Sequence, residues 1–218
     1  MGKLLGSFYL ALILVLTGFP VRAATNQAGI VLTFDDTFVD QWYGFFNRPD
    51  MQGVKATFFV TQWHTLSSLQ IEKLRVLQSS GSEIGCHSYD HQGVGSYKFD
   101  PARVNEYVAQ QVIPAVNNMM ASGFNPVSFS YPSGERDENY DAAIRPLLPY
   151  LRSTFSNNTK TLSQLNEVYH NSDSRYAYLA GDGIDNSYQN EFAEIEQALI
   201  HAKNNQEIIT LYAHRIVD

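Results

Sequence analysis

Two segments of the sequence decide how the rest of it is interpreted: AGIVLTF at residues 28–34 and VKATFFVT at residues 54–61. Both are short, apolar and rich in β-branched or aromatic residues, which is typical of buried strands. Residues 39–46 between them are largely aromatic and are expected to form a short helix. A strand, a helix and a second strand in this order predict a right-handed βαβ unit with parallel strands.

The same alternation continues to the end of the sequence. Further strands are predicted at residues 83–86, 127–131, 151–155, 176–180 and 208–213. Helices are predicted after Ser67 or Ser68, after Asp100, and at residues 137–148 and 188–203, with a polar loop at 157–174. This order indicates an α/β protein, either a barrel or an open doubly wound sheet, with ligand sites at the carboxyl ends of the strands.

The N-terminus has the composition of a secretory signal. Lys3 precedes an uncharged apolar run of 16 residues from Leu4 to Phe19, and Ala23 provides a small residue at the expected cleavage point. The run is shorter than the roughly 20 residues that span a bilayer, so no stable membrane insertion is expected after cleavage. Residues 1–23 are therefore predicted to be a signal peptide, and the protein to be secreted or periplasmic.

Composition excludes several classes of protein. The 218 residues carry a formal net charge of −7, from 15 Lys and Arg against 22 Asp and Glu, so no electropositive surface for nucleic acid is expected. Cys86 is the only cysteine, which excludes an intramolecular disulfide. The 44% hydrophobic content is enough for one sizeable core, and a single domain is expected over residues 24–218.

Acidic and imidazole side chains follow several of the predicted strands. Asp35 and Asp36 follow the first strand, His87 and His91 follow the third, and His214 follows the last. Two adjacent carboxylates after a buried strand are costly unless a cation or a shared proton compensates them. Two histidines four residues apart, together with one aspartate, form the open three-ligand set of a catalytic metal site.

Nitrogen and oxygen ligands of this kind suit zinc, and they leave cobalt, nickel, manganese and iron open. A bound cation lowers the pKa of water to about 7, and a carboxylate beside it can accept the proton. Each motif alone has an ordinary interpretation, since an Asp-Asp pair is commonly a solvated helix cap and a strand-end histidine is commonly structural. Their occurrence together at the strand ends favours the metal site.

These motifs resemble those of the polysaccharide deacetylase family, also called carbohydrate esterase family four. TFDD at residues 33–36 and HSYDH at residues 87–91 match its first two motifs, and VKATFFVT and SEIG, the latter at residues 82–85, resemble the accompanying segments. The resemblance extends over residues 30–214. It implies a distorted (β/α) barrel of mostly parallel strands and metal-dependent removal of acetyl groups from N-acetylated sugars.

The resemblance implies roles for the residues at the strand ends. Asp36, His87 and His91 are the implied ligands of a divalent metal, with zinc favoured over cobalt, nickel or manganese. Asp35 is the implied general base. His214 is the implied general acid, which protonates the leaving group.

The family's third motif implies further contacts with the substrate. The backbone N–H of Ser133 is expected to stabilise the oxyanion, whatever side chain follows. Tyr131 and Pro132 are expected to shape the wall of the substrate groove. Tyr212 replaces a leucine that is common in the family, so the pocket for the acetyl methyl group is expected to be narrower or more polar.

The sequence also departs from the family pattern. Ser130 stands where many members have an arginine that orients the base, which predicts a less firmly held Asp35 with a higher pKa. No tryptophan matches the family's site tryptophan, and Asp182 and Asp185 are interpreted as a solvated turn rather than as a partner of the acid histidine. The sequence ends soon after His214, so the barrel could lack its last helix and strand.

Three functions follow from these observations. The leading hypothesis is an exported, metal-dependent hydrolase that removes N-acetyl groups from an amino-sugar glycan. An esterase that removes O-acetyl groups from xylan or an exopolysaccharide would use the same residues. Ser130, the missing tryptophan and the early end of the sequence favour the third alternative, a non-catalytic glycan-binding module. The sequence indicates no oligomeric state.

Overall fold

The computed structural model of the protein describes residues 27–156, 159–171, 178–185, 188 and 190–217. The predicted signal peptide, residues 1–23, lies outside the described residues. The strands are β1 (Gly29–Asp36), β2 (Thr57–Val60), β3 (Glu83–Cys86), β4 (Ser128–Ser130), β5 (Tyr150–Thr154), β6 (Tyr169–Asn171), β7 (Tyr178–Gly183) and β8 (Glu207–Ala213).

Seven parallel strands close into a barrel in the order β1, β2, β3, β4, β5, β7, β8. The sheet closes because β8 pairs with β1, with Ile208 opposite Gly29 and Ala213 opposite Phe34. The short strand β6 lies outside this ring and runs antiparallel to β8. The architecture confirms the α/β barrel over the open sheet, and the described strands close it without a further strand after β8.

The described residues form six α-helices, and none of these is long and apolar enough to cross a membrane. Their bounds are α1 (Val39–Phe46), α2 (Ser68–Ser79), α3 (Val104–Tyr107), α4 (Ile113–Ala121), α5 (Glu138–Ile144) and α6 (Phe192–Asn205). A π-helical turn, Val108–Val112, joins α3 to α4. Pro114 follows this turn and lacks the N–H of a regular helix, so the wider turn accommodates the break that proline causes.

Helix α2 shows how local sequence fixes an element boundary. The Ser67 hydroxyl accepts the N–H of Gln70 at 3.3 Å, and the Gln70 side-chain oxygen accepts the N–H of Ser67 at 3.0 Å. This reciprocal capping box satisfies two N–H groups that the first turn leaves free. Gly81 follows the helix with φ of 98°, a conformation in which glycine has no steric penalty.

The barrel strands separate an apolar outer layer from a polar interior. Phe34 and Phe58 point outward, where their rings pack within 6.5 and 5.2 Å of the Trp42 ring on α1. The alternate residue Asp35 points inward and contacts Arg152 of β5. Because strand side chains alternate between faces, the apolar outer face holds the helices while charged groups reach the barrel interior.

The segment predicted as a polar loop, residues 157–174, is only partly a loop. Within its described part, Leu162, Leu165 and Val168 are buried and form a second core cluster with helix α6. Two single turns of 3₁₀ helix carry Leu162 and Val168, Leu165 lies between the turns, and strand β6 follows them. The apolar residues are spaced three apart, which gives a 3₁₀ turn one buried edge even in a mostly polar stretch.

The elements near the C-terminus also differ from the prediction. Strand β7 continues to Gly183, three residues beyond the predicted end, and α6 begins at Phe192 rather than at Tyr188. The Asn190 side chain donates to the Gly183 carbonyl at 2.7 Å and to the Asp182 carboxylate at 3.2 Å. These two hydrogen bonds hold the segment between β7 and α6, where the sequence predicted the first turn of a helix.

Replacement of Leu162 by alanine tests the role of the second core cluster. Leu162 is fully buried, so we expect Leu162→Ala to lower the free energy of unfolding by about 3 kcal/mol. Leu69→Ala is the matched control, because Leu69 is 64% exposed and should change stability by no more than about 0.5 kcal/mol. Equal effects of the two substitutions in urea denaturation would contradict the packing of this segment.

Candidate active site

A cavity of about 360 Å³ opens at the carboxyl ends of the barrel strands. The residues predicted for the site that line it are Asp35, His87, His91, Ser133, Tyr212 and His214. Thr154, Gly134 and Tyr188 complete the lining. The structure therefore brings together side chains that are up to 179 positions apart in the sequence, from Asp35 to His214.

The end of β1 directs two consecutive carboxylates toward one point. In a regular strand only one of Asp35 and Asp36 would face the barrel interior. Asp36 has φ of 86°, which ends the extended conformation and turns its carboxylate to within 3.8 Å of His87 Nε2. Asp35 lies 3.9 Å from the same nitrogen. A non-glycine residue in this conformation costs about 1–3 kcal/mol and is typical of functional sites.

The two histidines lie on a tight loop after β3. Ser88 and His91 both adopt positive φ, 65° and 61°, so the chain doubles back between the two imidazoles. The Thr61 hydroxyl fastens the loop by donating to the Ser88 carbonyl at 3.2 Å. His87 Nδ1 lies 2.8 Å from the Ser130 carbonyl, which orients the ring and leaves Nε2 facing the cavity.

The three predicted ligands have the geometry of a cation site. One ligand atom from each of Asp36, His87 and His91 lies within 4.8 Å of the other two. His91 Nε2 is 3.3 Å from an Asp36 oxygen. Bonds of about 2.0–2.1 Å around a tetrahedral ion separate ligand atoms by about 3.3 Å, so small side-chain rotations would suffice. Burial lowers the pKa of His87 to about 4, which keeps the imidazole neutral, as a metal ligand must be.

Asp35 forms a buried ion pair with Arg152. One guanidinium nitrogen of Arg152 contacts both oxygens of the Asp35 carboxylate, and both side chains are almost fully buried. Burial raises the pKa of Asp35, but Arg152, with smaller contributions from His87 and His214, outweighs it and lowers the pKa below its usual value. The expectation of a loosely held Asp35 with a higher pKa was therefore wrong.

Arg152 was missed because the cation comes from a different strand than the family pattern suggests. Ser130 on β4 pairs in register with Arg152 on β5, so the two residues are neighbours across the sheet. The rings of Phe59 and Tyr212 flank the guanidinium, at 5.4 and 4.9 Å from its central carbon. A lone arginine within the predicted strand at residues 151–155 was the available signal.

Asp185 holds the predicted acid histidine. His214 Nδ1 lies 2.6 Å from one Asp185 oxygen, and the His214 backbone N–H donates to the other at 3.2 Å. The hydrogen bond that the Asp185 carboxylate accepts raises the pKa of His214, against the opposing effect of burial. The interpretation of Asp185 as a solvated turn was wrong. The Trp42 indole also donates to the His214 carbonyl at 2.7 Å, so this end of β8 is well fastened.

Of the three residues that match the family's third motif, one lines the cavity and two are buried in the protein core. Ser133 lines the cavity with φ of 59°, and its N–H has no acceptor among the described residues. Tyr131 and Pro132 are buried and do not line the cavity, so the expectation that they shape its wall was wrong. The Tyr131 hydroxyl instead donates to Asp141 at 2.6 Å, because its ring lies on the apolar side of the sheet.

Aromatic side chains form the wall beside His214. Tyr188 lies parallel to the His214 ring with centroids 6.4 Å apart, and edge-on to Tyr212 at 5.3 Å. Burial and a hydrogen bond with Tyr188 raise the pKa of Tyr212. Gly183 has no room for a Cβ, which would lie 2.3 Å from the Tyr188 ring. Sequence reasoning missed Tyr188 because it was assigned to the start of a helix.

A family model described as "Polysaccharide deacetylase" matches residues 22–147, more than half of the chain. The chain belongs to the polysaccharide deacetylase family. The match includes the Asp35-Asp36 pair and the two histidines, whereas Arg152, Asp185 and His214 lie beyond it. Among curated proteins, no match is found.

Solved structures of deacetylases and esterases are similar to this family member. A protein from Mycobacterium smegmatis described as a polysaccharide deacetylase aligns with a TM-score of 0.54 and 13% identity over 89% of this chain and 79% of that one. The chitin deacetylase of Colletotrichum lindemuthianum has a TM-score of 0.49 and 17% identity over 85% of each chain. A family 4 acetyl xylan esterase from Clostridium thermocellum, in complex with a cobalt ion, has a TM-score of 0.45 and 18% identity over 84% of this chain and 87% of that one. The first similarity supports the barrel fold.

Removal of Arg152 should destabilise the protein in a pH-dependent way. Arg152→Met leaves the buried Asp35 carboxylate without its cation, and we expect a loss of about 3–5 kcal/mol at neutral pH. A carboxyl group with a depressed pKa stabilises the fold above about pH 3.9 and loses this contribution as pH falls through its folded pKa. Without Arg152, only the smaller contributions of His87 and His214 oppose the effect of burial, so the pKa of Asp35 should rise and the deficit should shrink as the pH is lowered.

Denaturant unfolding of wild type and Arg152→Met across the acidic pH range measures this difference. Arg48→Met is the matched control, because Arg48 forms an exposed ion pair with Asp50 that should matter little at any pH. A deficit that is constant with pH would mean that Arg152 does not control the ionisation of Asp35.

Asp185→Asn should lower the pKa of His214. Because the Asp185 carboxylate raises this pKa, its contribution to stability is complete below about pH 6.5 and is lost as pH rises through the folded value. We therefore expect Asp185→Asn to destabilise the protein more at about pH 5 than at about pH 9. NMR titration of the imidazole, assigned with His214→Asn, measures the shift. Asp50→Asn should leave the His214 titration unchanged, and an unchanged titration in Asp185→Asn would contradict the pairing.

Proposed function

We propose that the protein is a metal-dependent hydrolase that removes N-acetyl groups from an amino-sugar polysaccharide or oligosaccharide. The observation that carries the proposal is that one cavity is lined by the two histidines of a three-ligand cation site, by a buried carboxylate and by a carboxylate-paired histidine, with the third ligand, Asp36, 3.3 Å from His91. Membership of the polysaccharide deacetylase family supports hydrolysis of acetylated polysaccharides. The predicted signal peptide at residues 1–23 supports action outside the cytoplasm, in the periplasm or after secretion.

Asp36, His87 and His91 would hold the divalent cation. Two imidazoles and one carboxylate suit zinc, and cobalt, nickel or manganese accept the same ligands. A cation held there supplies Lewis acidity, which polarises the acetyl carbonyl and acidifies water. His87 is prepared for this role because the Ser130 carbonyl fixes the orientation of its ring.

Asp35 would act as the general base. It lies 3.9 Å from His87 Nε2 and is tied to Arg152, so its carboxylate stays ionised and its position is fixed beside the attacking water. The Arg152 contact lowers the basicity of the carboxylate, but it keeps the proton-accepting form present at neutral pH. Proton transfer to Asp35 would convert the water into the nucleophile for the acetyl carbon.

His214 would donate a proton to the departing nitrogen. An amine leaves poorly without protonation, whereas an alcohol leaves an ester more readily, so a maintained acid favours amide substrates. Asp185 raises the pKa of His214 and holds its ring, which keeps a larger fraction protonated at neutral pH. This pair is the reason to prefer N-acetyl over O-acetyl substrates.

Two further groups of the protein would contact the acetyl group of the substrate. The Ser133 N–H, which has no acceptor within the described part of the chain, can donate to the developing oxyanion. The Tyr212 ring borders the cavity and packs against the Arg152 guanidinium, so it would limit the space for the acyl chain. A small acyl group such as acetyl fits this arrangement.

Substitution of the two adjacent aspartates separates cation binding from proton transfer. Asp36→Ala should lose bound zinc and acetate release together, because it removes a ligand. Asp35→Asn should keep its zinc but lose acetate release by at least about 100-fold, because it removes the base. Zinc content and acetate release from chito-oligosaccharides measure the two effects, and Asp50→Asn should retain both. Full zinc and full activity in either variant would overturn the assignment.

The same assay distinguishes the amide from the ester reaction. Wild type supplied with zinc, cobalt or nickel should release acetate from chito-oligosaccharides, and His214→Asn should impair this more than release from acetylated xylan. Preference of the wild type for acetylated xylan, with equal losses in His214→Asn, would identify an O-acetyl esterase instead. Binding of glycan without release of acetate from any substrate would identify a non-catalytic module.

A further inference from the structure

The Ser133 N–H, the proposed oxyanion donor, lies in a strained turn. Ser133 and Gly134 adopt φ of 59° and 69°, so two consecutive residues occupy the left-handed region. Glycine is required at position 134, because a Cβ there would collide with the Thr154 side chain. Strained backbone of this kind persists only where surrounding contacts hold it. The contacts of this turn therefore determine where the N–H points.

A carboxylate next to this turn contacts the loop that carries a proposed cation ligand. The Gly95 N–H donates to Glu135 Oε2 at 2.7 Å, a distance typical of a charge-assisted hydrogen bond. Gly95 lies four residues after His91, in the first turn of a short 3₁₀ helix at Val94–Tyr97. An N–H at the start of a helix has no acceptor within the helix, so the Glu135 carboxylate satisfies it. The bond joins residues that are 40 positions apart.

Two glycines leave the space that the Glu135 carboxylate occupies. A Cβ at Gly93 would overlap the carboxylate, and one at Gly95 would lie 2.5 Å from Glu135 Oε1. Gly93 has φ of −80° and ψ of 170°, an extended conformation that any residue can adopt. Glycine is therefore needed here for space and not for backbone freedom. A methyl group at position 95 would displace the carboxylate, since a glutamate side chain can change its rotamer.

The next residue, Arg136, attaches the turn to a different part of the protein. Its guanidinium donates twice to the Asp141 carboxylate, at 2.9 and 2.6 Å, and lies 4.0 Å from the centre of the Tyr178 ring. Asp141 belongs to α5 and Tyr178 to β7. These contacts hold the chain beyond the turn, but neither element carries a proposed cation ligand.

Glu135 is the hydrogen-bonding link between two parts of the candidate site. Among the described residues, no other hydrogen bond joins residues 93–97 to residues 132–136. Glu135 does not line the cavity and is not one of the three proposed ligands. It can therefore act only through the turn that it holds, and not by contact with the substrate.

We propose that Glu135 is a positioning residue for the oxyanion donor: its contact with Gly95 holds the Ser133 turn at a fixed distance from the cation ligands. This inference rests on the proposed function and adds a residue to its machinery. An N–H stabilises an oxyanion only when it lies about 2.7–3.1 Å from the oxygen, and a displacement of about 1 Å can reduce the rate by about 100-fold. Loss of the Glu135 contact lets the turn relax and moves the N–H away from the acetyl oxygen.

Replacement of Glu135 by alanine and by glutamine tests the hydrogen bond. Glu135→Ala removes the acceptor, so kcat for acetate release from an N-acetylated chitin pentamer should fall about tenfold. KM should change by less than about twofold, because the oxyanion donor acts in the transition state. Glu135→Gln keeps a side-chain oxygen for the Gly95 N–H and should retain at least about half of the wild-type kcat. Zinc content should be the same in all three proteins.

Gly95→Ala is an independent variant, which leaves Glu135 in place but displaces its carboxylate. It should reproduce the loss of about tenfold, and the double variant with Glu135→Ala should lose no more than either single variant. Glu138→Ala is the matched control, since Glu138 is exposed three residues further along the chain and should leave kcat unchanged. Equal losses in Glu135→Ala and Glu135→Gln, or a loss that appears in KM alone, would overturn the positioning role.

NMR of the backbone amides separates this inference from the proposed function, because it requires no activity. In Glu135→Ala the Ser133 resonance should shift and the Gly95 N–H should exchange with solvent faster, whereas Glu135→Gln and Glu138→Ala should leave both unchanged. These changes in a protein that releases no acetate from any substrate would support the positioning of Ser133 by Glu135 and refute the deacetylase function. An unchanged Ser133 resonance in Glu135→Ala, with acetate release intact, would overturn the inference while the function stands.

Discussion

The candidate site depends on one buried ion pair, between Asp35 of β1 and Arg152 of β5. A carboxylate inside a barrel is tolerated only with a partner, and the guanidinium provides that partner from the facing side of the ring. The pair fixes the charge of Asp35, and the Phe59 and Tyr212 rings flank the guanidinium beside the proposed cation ligand His87. Loss of this contact would disturb both the fold and the proposed base.

Backbone conformation does the rest of the positioning. Asp36, Ser88, His91 and Ser133 all adopt positive φ, although none is glycine. Asp36 ends β1, Ser88 and His91 shape the loop after β3, and Ser133 follows β4, so that the Asp36 carboxylate, two imidazoles and one N–H group lie at the candidate site. The barrel must stabilise these strained residues, which it does through hydrogen bonds such as that between Thr61 and the Ser88 carbonyl.

Local patterns were sufficient for the seven strands of the barrel, most helices and the convergence of Asp35, Asp36, His87, His91 and His214, but not for the short strand β6. They failed where a contact joins distant parts of the chain. Nothing near Asp185 in the sequence indicates that its carboxylate meets His214, and nothing near Asp35 indicates Arg152. Leu162, Leu165 and Val168 were overlooked because their polar neighbours hide a short 3₁₀ periodicity, and Tyr131 was misplaced because its ring packs away from the groove.

The register of Ser130 with Arg152 has a wider consequence. Strands β4 and β5 are adjacent, and a side chain at either register position can reach the Asp35 carboxylate. An arginine on one strand can therefore pair with Asp35 when the residue on the other strand is small enough to leave room. Asp35 thus requires a cation at a given position in the structure, and not at a given position in the sequence. A search for active family members that requires arginine in the third motif would discard chains in which the adjacent strand supplies the arginine.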